Sequence, residues 1–182
     1  MKKDKNVLYL TQGGIIAALY VVLTYIAAAM DLASGAIQVR LSEALCLLPM
    51  LTPAAVPGLT VGCVLANLLT GCLPGDVIFG SLATLLGAVG TRLLRKHPKI
   101  AWLPPVLSNM IIVPLVLMHV YGVGDVEVTI PWTDTVLKGA GYWPLMLTVG
   151  IGEVISIGVI GWILYKAVYR RIPGMENPEK AN

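Results

Sequence analysis

Residues 44–75 read ALCLLPMLTPAAVPGLTVGCVLANLLTGCLPG, and none of these side chains is charged. The stretch forms either one helix, which would give the chain five membrane crossings, or two helices, which would give six. Proline removes a backbone donor and clashes with the preceding helical turn. Pro49, Pro53 and Pro57 therefore favour two helices over one.

Two further runs of low charge flank this stretch. Residues 6–30 carry no charge, and His119 is the one ionisable base in residues 100–124. A helix that crosses a bilayer needs about 20 apolar residues, which each run supplies. Only 13% of the 182 residues are charged, against about 25% in a typical soluble domain. The composition predicts an all-α membrane protein with a single integral membrane domain, residues 1–182.

The basic residues predict the topology of a bundle of six transmembrane helices. We expect these helices at about residues 8–30, 37–51, 57–73, 76–95, 100–121 and 142–169. Lysine and arginine, which are enriched in cytoplasmic loops, cluster at residues 2–5, 92–99 and 166–171. All three clusters lie on one side only if the number of crossings is even. The pattern predicts cytoplasmic N and C termini, an extracellular loop at residues 122–141 and a multi-pass protein of the cell membrane.

The first apolar run also has an alternative interpretation as a signal peptide. The run is about twice as long as the apolar core of a signal peptide, which favours a retained helix. Ala27-Ala28-Ala29 is the site at which a signal peptide would be cleaved.

Polar side chains inside the apolar helices are the candidates for function, because burying them in a membrane is costly. Helical geometry places five of them in the outer half of the bilayer, on four different helices. We expect them to line a polar pocket open to the outside. They are Arg40, Glu43, Asn67, Asn109 and Glu153.

Each of these residues also has a purely structural interpretation. Arg40 and Glu43 are three residues apart and would neutralise each other on one helix. The two asparagines would bond across helices. Glu153 has no basic neighbour on its own helix, so it must find a donor, a proton or a ligand.

Three further features each have a default structural interpretation. Tyr142 and Trp143, at the start of the last helix, belong to an interfacial aromatic belt or stack on a ligand. Asp76 follows Pro74-Gly75 and is expected to be a helix N-cap. Small residues recur four apart on the first helix, where they would pack within the chain or dock another membrane subunit. These pairs are Gly13 with Ala17 and Gly14 with Ala18.

Several motifs of enzymes and ATPases are missing from the sequence. There is no Gly-Lys dipeptide and hence no Walker A loop, and neither HExxH nor GxSxG occurs. The three cysteines have no CxxC or metal-ligand spacing. We therefore expect no catalytic residues, no metal, no cofactor and no nucleic-acid partner.

Three stretches together resemble a known family. They are IQVRLSEAL at residues 37–45, TPAAVPGL at 52–59 and FGSLATL at 79–85. They resemble the QueT family, whose members are substrate-binding S components of energy-coupling factor (ECF) transporters assigned to queuosine precursors. The resemblance covers residues 8–170, and the Arg-x-x-Glu of its first stretch is the most specific part.

This resemblance implies a six-helix bundle that captures its ligand outside the cell. The bundle would hand the ligand over by docking on a transmembrane T subunit that carries two ATPases. S components of this kind dock through an Ala-xxx-Ala face on the first helix, which Gly14 and Ala18 match except that glycine replaces the first alanine.

The expected ligand is a 7-deazaguanine such as 7-aminomethyl-7-deazaguanine. Its N–H edge and cationic arm suit two acids, its ring oxygen suits a donor, and its flat ring suits an aromatic side chain. The residues expected to bind it are Arg40, Glu43, Asn67, Asn109, Tyr142, Trp143 and Glu153. Two alternatives stay open: an S component for another vitamin or small polar metabolite, and an intramembrane enzyme that uses Glu43 and Glu153 as an acid–base pair.

Overall fold

Helical segments follow one another along the chain in the order expected from the apolar runs. The computed structural model describes residues 2–30, 32, 39–129 and 136–171. The segments are α1 Lys2–Ala29, a 3₁₀ helix Leu41–Met50, α2 Ala55–Leu69, α3 Pro74–Leu93, α4 Leu103–His119, α5 Tyr142–Glu153, a π-helical segment Val154–Gly161 and α6 Trp162–Arg171. The last three are continuous and form one long helix.

Among the described residues, three helices are long and apolar enough to cross a membrane. They are Lys5–Ala29, Pro74–Leu93 and Tyr142–Tyr169. The other apolar helices, Leu41–Met50, Ala55–Leu69 and Leu103–His119, are shorter. The uncharged stretch 44–75 is divided into two helical segments, with residues 51–54 between them.

The second segment differs from the α-helix expected at residues 37–51. It is a 3₁₀ helix that begins at Leu41, and residues 37 and 38 lie outside the described part of the chain. A 3₁₀ helix rises about 2.0 Å per residue, so ten residues span roughly 20 Å. The segment is buried from Ser42 to Met50. At its end, Arg92 Nη1 donates to the carbonyls of Pro49 (3.1 Å) and Met50 (3.5 Å), which supplies partners for carbonyls that a helix end leaves free.

Polarity is distributed in the way expected of a protein surrounded by lipid. Large apolar side chains on the outer face of α1 are exposed, among them Ile15 and Leu19. The charged side chains that are buried, in the part of the chain described, are all acids: Glu43, Asp76 and Glu153. The core is mostly apolar as well, so the buried acids are the unusual feature of the bundle.

Glycines bring neighbouring helices into close contact in two places. A Cβ added to Gly58 on α2 would lie 2.7 Å from the backbone oxygen of Gly13 on α1, and one added to Gly62 would lie 2.7 Å from Tyr20 Cβ. A Cβ added to Gly87 on α3 would lie 2.6 Å from Pro105 Cα on α4, and one on Gly90 would collide with Pro104. Helices α1 and α2, and α3 and α4, therefore form two closely packed pairs.

The loop at residues 122–141 contains a β-hairpin that the sequence analysis did not anticipate. Strand β1 is Asp125–Thr129 and strand β2 is Val136–Ala140, and they pair antiparallel. Glu127 lies opposite Lys138, and the two exposed side chains form an ion pair of 2.6 Å. The alternation of polar residues and valines in DVEVT is the pattern of a strand.

The π-helical segment packs against the 3₁₀ helix. A Cβ at Gly161 would lie 2.9 Å from the backbone oxygen of Ala44. The Ser156 hydroxyl accepts a hydrogen bond from the Arg40 backbone N–H (3.1 Å) and donates to the Gly152 carbonyl (2.9 Å). This packing places Glu153, the last residue of α5, beside the segment that carries Glu43.

Candidate ligand-binding site

A cavity of about 360 Å³ lies at one end of the bundle. Helices α1, α2 and α4 end there and α3 begins there. This volume is within the range of small-molecule sites, roughly 300–1,000 Å³. The lining residues are Tyr20, Thr24, Ala27, Ala28, Arg40, Ser42, Asn67, Thr70, Cys72, Asp76, Leu117, Tyr121 and Val123.

Two of the predicted site residues, Arg40 and Asn67, line this cavity. Arg40 precedes the 3₁₀ helix in an extended backbone conformation. Its guanidinium lies near enough to the carboxylates of Asp76, Glu153 and Glu43 to interact with each of them. A simple pairing of Arg40 with Glu43 is therefore too narrow a description, because one cation is shared among three acids.

The acid that lines the cavity is Asp76, which the sequence analysis assigned to a helix cap. The N-cap of α3 is Leu73, and Asp76 lies in the first turn. Its Oδ2 accepts a hydrogen bond of 3.3 Å from the Tyr121 hydroxyl, which in turn accepts one of 3.2 Å from the Leu73 backbone N–H. The cap expected at Asp76 was wrong because Pro74 starts the helix, and proline is favoured at the first helical position.

Asn67 lies beside Asp76 at the wall of the cavity. Its Nδ2 donates to the Asp76 backbone oxygen at 3.4 Å and to Cys63 Sγ at 3.7 Å. A Cβ added to Gly80 would lie 3.0 Å from Asp76 Oδ1 and 3.4 Å from Asn67 Nδ2. The absence of a side chain at Gly80 therefore leaves room for the carboxylate and the amide to converge.

Glu43 lies behind the cavity wall rather than in it. The Tyr20 hydroxyl, which lines the cavity, donates a 2.5 Å hydrogen bond to Glu43 Oε1. Glu43 Oε2 accepts from Cys46 Sγ at 3.0 Å and from Asn109 Nδ2 at 3.3 Å. Glu43 and Asn109 are each only 1% exposed. They form a buried polar cluster whose link to the cavity is Tyr20.

Glu153 belongs to the same buried cluster. It is 3% exposed, and its carboxylate interacts with Asn109, Glu43 and Arg40. Its Oε2 is buried without a hydrogen-bond partner among the described residues. Asn109 therefore stands between two acids, and one carboxylate oxygen is left unsatisfied.

The predicted aromatic pair lies apart from the cavity. Tyr142 and Trp143 pack edge to face with ring centroids 5.5 Å apart, and the Tyr142 hydroxyl donates to the Ile111 carbonyl on α4. Trp143 is 70% exposed. The rings that do line the cavity are Tyr20 and Tyr121.

The two small-residue pairs on α1 face different ways. Gly13 and Ala17 pack against Gly58 and Gly62 of α2, as the close approaches at those glycines require. A Cβ added to Gly14 would meet nothing within 4 Å, and Ala18 is exposed. One pair therefore joins helices within the chain, and the other presents an open, narrow face.

No group of three or more histidine, cysteine, aspartate or glutamate side chains is placed to hold a metal ion in the described ranges. Cys46 and Cys63 are buried, whereas Cys72 lines the cavity and is half-buried. Cys72 is thus a natural reporter thiol at the candidate site.

Sequence reasoning missed most of the polar residues of the cavity wall, among them Tyr20, Ser42, Asp76 and Tyr121. For Asp76 a signal was present, because proline at position 74 implies an N-cap at residue 73. Tyr20 gave no such signal, since a tyrosine in an apolar helix is equally common at lipid interfaces.

The family model of the QueT transporter matches residues 10–170. The chain belongs to the QueT transporter family. No curated protein and no solved structure matches the chain significantly. Membership of QueT makes this a transport protein of a membrane, in agreement with its apolar exterior and its three helices of spanning length.

Proposed function

We propose that this QueT protein is the substrate-capture S component of an ECF-type importer in the cell membrane. It would bind a queuosine precursor of the 7-deazaguanine class outside the cell, without catalysis of its own. A transmembrane T subunit and two ATPases would then drive uptake. The observation that carries the proposal is the cavity of about 360 Å³ at one end of the bundle, whose wall includes Arg40, Asn67 and Asp76.

The chemistry of the cavity wall supports a flat ligand that both donates and accepts hydrogen bonds. Arg40 supplies donors for a ring oxygen, and the side-chain oxygen of Asn67 supplies an acceptor. Tyr20 uses its proton on Glu43, so its oxygen is left to accept a hydrogen bond from a ring N–H. Tyr20 and Tyr121 also supply aromatic surface.

The remaining predicted residues have less direct roles in this proposal. Glu43 would act on the ligand through Tyr20, and Asn109 and Glu153 would complete the negative cluster below it. Tyr142 and Trp143 would contact a ligand only at its entry, since they do not line the cavity.

Docking on the T subunit is proposed for the open face of α1. Gly14 and Ala18 support this role because a small exposed face lets another helix approach closely. Gly13 and Ala17 are occupied by α2 and are not part of the proposed surface.

Protection of Cys72 from a maleimide tests the site directly, because this thiol lines the cavity. In detergent-purified protein, 7-aminomethyl-7-deazaguanine should slow labelling of Cys72 in a saturable manner. Unfolded protein, in which Cys46 and Cys63 also react, is the control for reagent quality. Protection by riboflavin or thiamine and not by the deazaguanine would favour an S component for another vitamin, and no protection by any of them would contradict the proposal.

A further inference from the structure

In the described part of the chain, the buried acids around the cavity outnumber the basic side chain that faces them. Glu43, Asp76 and Glu153 are buried, and Arg40 is the cation that interacts with all three in the described part of the chain. Burying an uncompensated charge costs several kcal/mol, so such an excess attracts a cation or a proton. The unsatisfied Oε2 of Glu153 is an independent sign that the negative cluster is incompletely compensated.

Among these acids, Asp76 is the one that lines the cavity. Glu43 is separated from the space by Tyr20, and Glu153 does not contribute to the wall. A cationic ligand group can therefore touch Asp76 directly and the other two acids only through the field of their charges.

The position of Asp76 also leaves its carboxylate able to accept a hydrogen bond from a ligand. Asp76 lies in the first turn of α3, where the helix dipole favours a negative charge. Tyr121 donates to Oδ2, which orients the carboxylate, and Oδ1 lies beside Gly80, which has no side chain to cover it. A carboxylate held in this way binds an ammonium group more strongly than it binds a neutral donor.

From this geometry we infer that Asp76 is the specificity-determining residue of the site and selects ligands that carry a positive charge. The inference rests on the proposed function for the location of the ligand, but it concerns the charge of the ligand and not its ring system. Asp76 receives the cationic group, and the acids beneath the cavity add to the preference without touching it.

The test measures thermal stabilisation and affinity for two matched pairs of compounds. The first pair is 7-aminomethyl-7-deazaguanine and 7-methyl-7-deazaguanine, and the second is tryptamine and its uncharged alcohol analogue tryptophol. Wild-type protein should prefer the amine within a pair by about ten- to a hundredfold, the range expected for loss of a charge-assisted hydrogen bond. Asp76→Asn should remove the preference, Asp76→Glu should keep it, and Asp125→Asn on the exposed hairpin is the matched control.

A second variant covers the case in which Asp76→Asn does not fold. Thr70 lines the cavity and is exposed, so it accepts longer side chains. Thr70→Lys should weaken binding of the amine more than binding of its uncharged partner, because it places a positive charge in the cavity. Thr70→Gln, of similar size, should affect both compounds of a pair equally.

The possible outcomes separate this inference from the proposed function. Equal binding of both deazaguanines overturns the role of Asp76 and leaves the proposed ligand class standing. Binding of tryptamine with no deazaguanine binding, lost in Asp76→Asn, supports the role of Asp76 and rejects the proposed ligand. Stabilisation by none of the four compounds rejects both.

Discussion

The Tyr20 hydroxyl on α1 donates a 2.5 Å hydrogen bond to Glu43 on the 3₁₀ helix, joining the cavity wall to the buried acids. Both side chains are almost completely buried, at 3% and 1% exposure. A buried acceptor that loses its donor costs about 1–3 kcal/mol. The bond therefore couples the shape of the cavity to the stability of the bundle.

Tyr20→Phe should lower both thermal stability and affinity for 7-aminomethyl-7-deazaguanine. The variant leaves Glu43 Oε1 without its donor and removes the acceptor that we propose for the ring N–H. The expected loss in affinity is about tenfold, measured by calorimetry on purified protein. Tyr25→Phe is the control, because Tyr25 donates to the Leu69 carbonyl at an exposed position. Lower stability with unchanged affinity would make Tyr20 purely structural.

Glu43→Gln and Glu153→Gln should have unequal effects on stability. A glutamine at position 43 directs its amide toward Asn109 or Tyr20, which already donate to this carboxylate, and loses about 1–3 kcal/mol. At position 153 the amide replaces an oxygen that has no partner in the described structure, so stability should change little. Thermal unfolding in detergent measures the difference. A larger destabilisation in Glu153→Gln would contradict this picture of the cluster.

Substitutions on the outward face of α1 should affect transport without affecting ligand binding. Gly14→Leu with Ala18→Leu should abolish uptake when the T subunit and ATPases are present, while ligand binding to the purified variant stays intact. Bulky side chains on this face block close approach of a partner helix.

The matched control for this prediction is Gly13→Leu with Ala17→Leu, on the face that packs against α2. That variant should unfold or lose ligand binding, because its side chains would collide with Gly58 and Gly62. If both double variants bind ligand but only the control loses uptake, the docking face contains Gly13 and Ala17 and not Gly14 and Ala18.

Topology can be tested at the hairpin and at the basic loop. In a Cys72→Ser background, a cysteine at Lys138, which is 71% exposed, should react with an impermeant maleimide in whole cells. A cysteine at Lys96 should react only after lysis, since its loop is predicted to be cytoplasmic. The reverse pattern would invert the predicted orientation.

The sequence predicted the order and approximate positions of the helices because the apolar runs are long and their ends are marked by charge or proline. The last helix was expected at residues 142–169 and is found, in three continuous parts, from Tyr142 to Arg171. The 3₁₀ and π-helical segments were not predictable in this way, since they pack on each other through residues far apart in the chain, such as Ala44 and Gly161.

The candidate site was predicted less completely, for a reason that lies in long-range packing. Arg40 and Asn67 line the cavity. Glu43 does not, because Tyr20, 23 residues earlier in the chain, is inserted between it and the space. Depth along a helix is readable from sequence, but the side chain that covers a polar group comes from another helix.

The close helix packing at four glycines determines which helices form the cavity wall. These glycines are Gly58 and Gly62 on α2, and Gly87 and Gly90 on α3. This packing groups the four helices into two pairs, α1 with α2 and α3 with α4. Tyr20 and Asn67 belong to the first pair, and Asp76 and Tyr121 belong to the second or directly follow it. The 3.4 Å bond from Asn67 to the Asp76 carbonyl joins the two pairs. The cavity thus lies where the two helix pairs meet, so a ligand bound in it would contact both pairs at once.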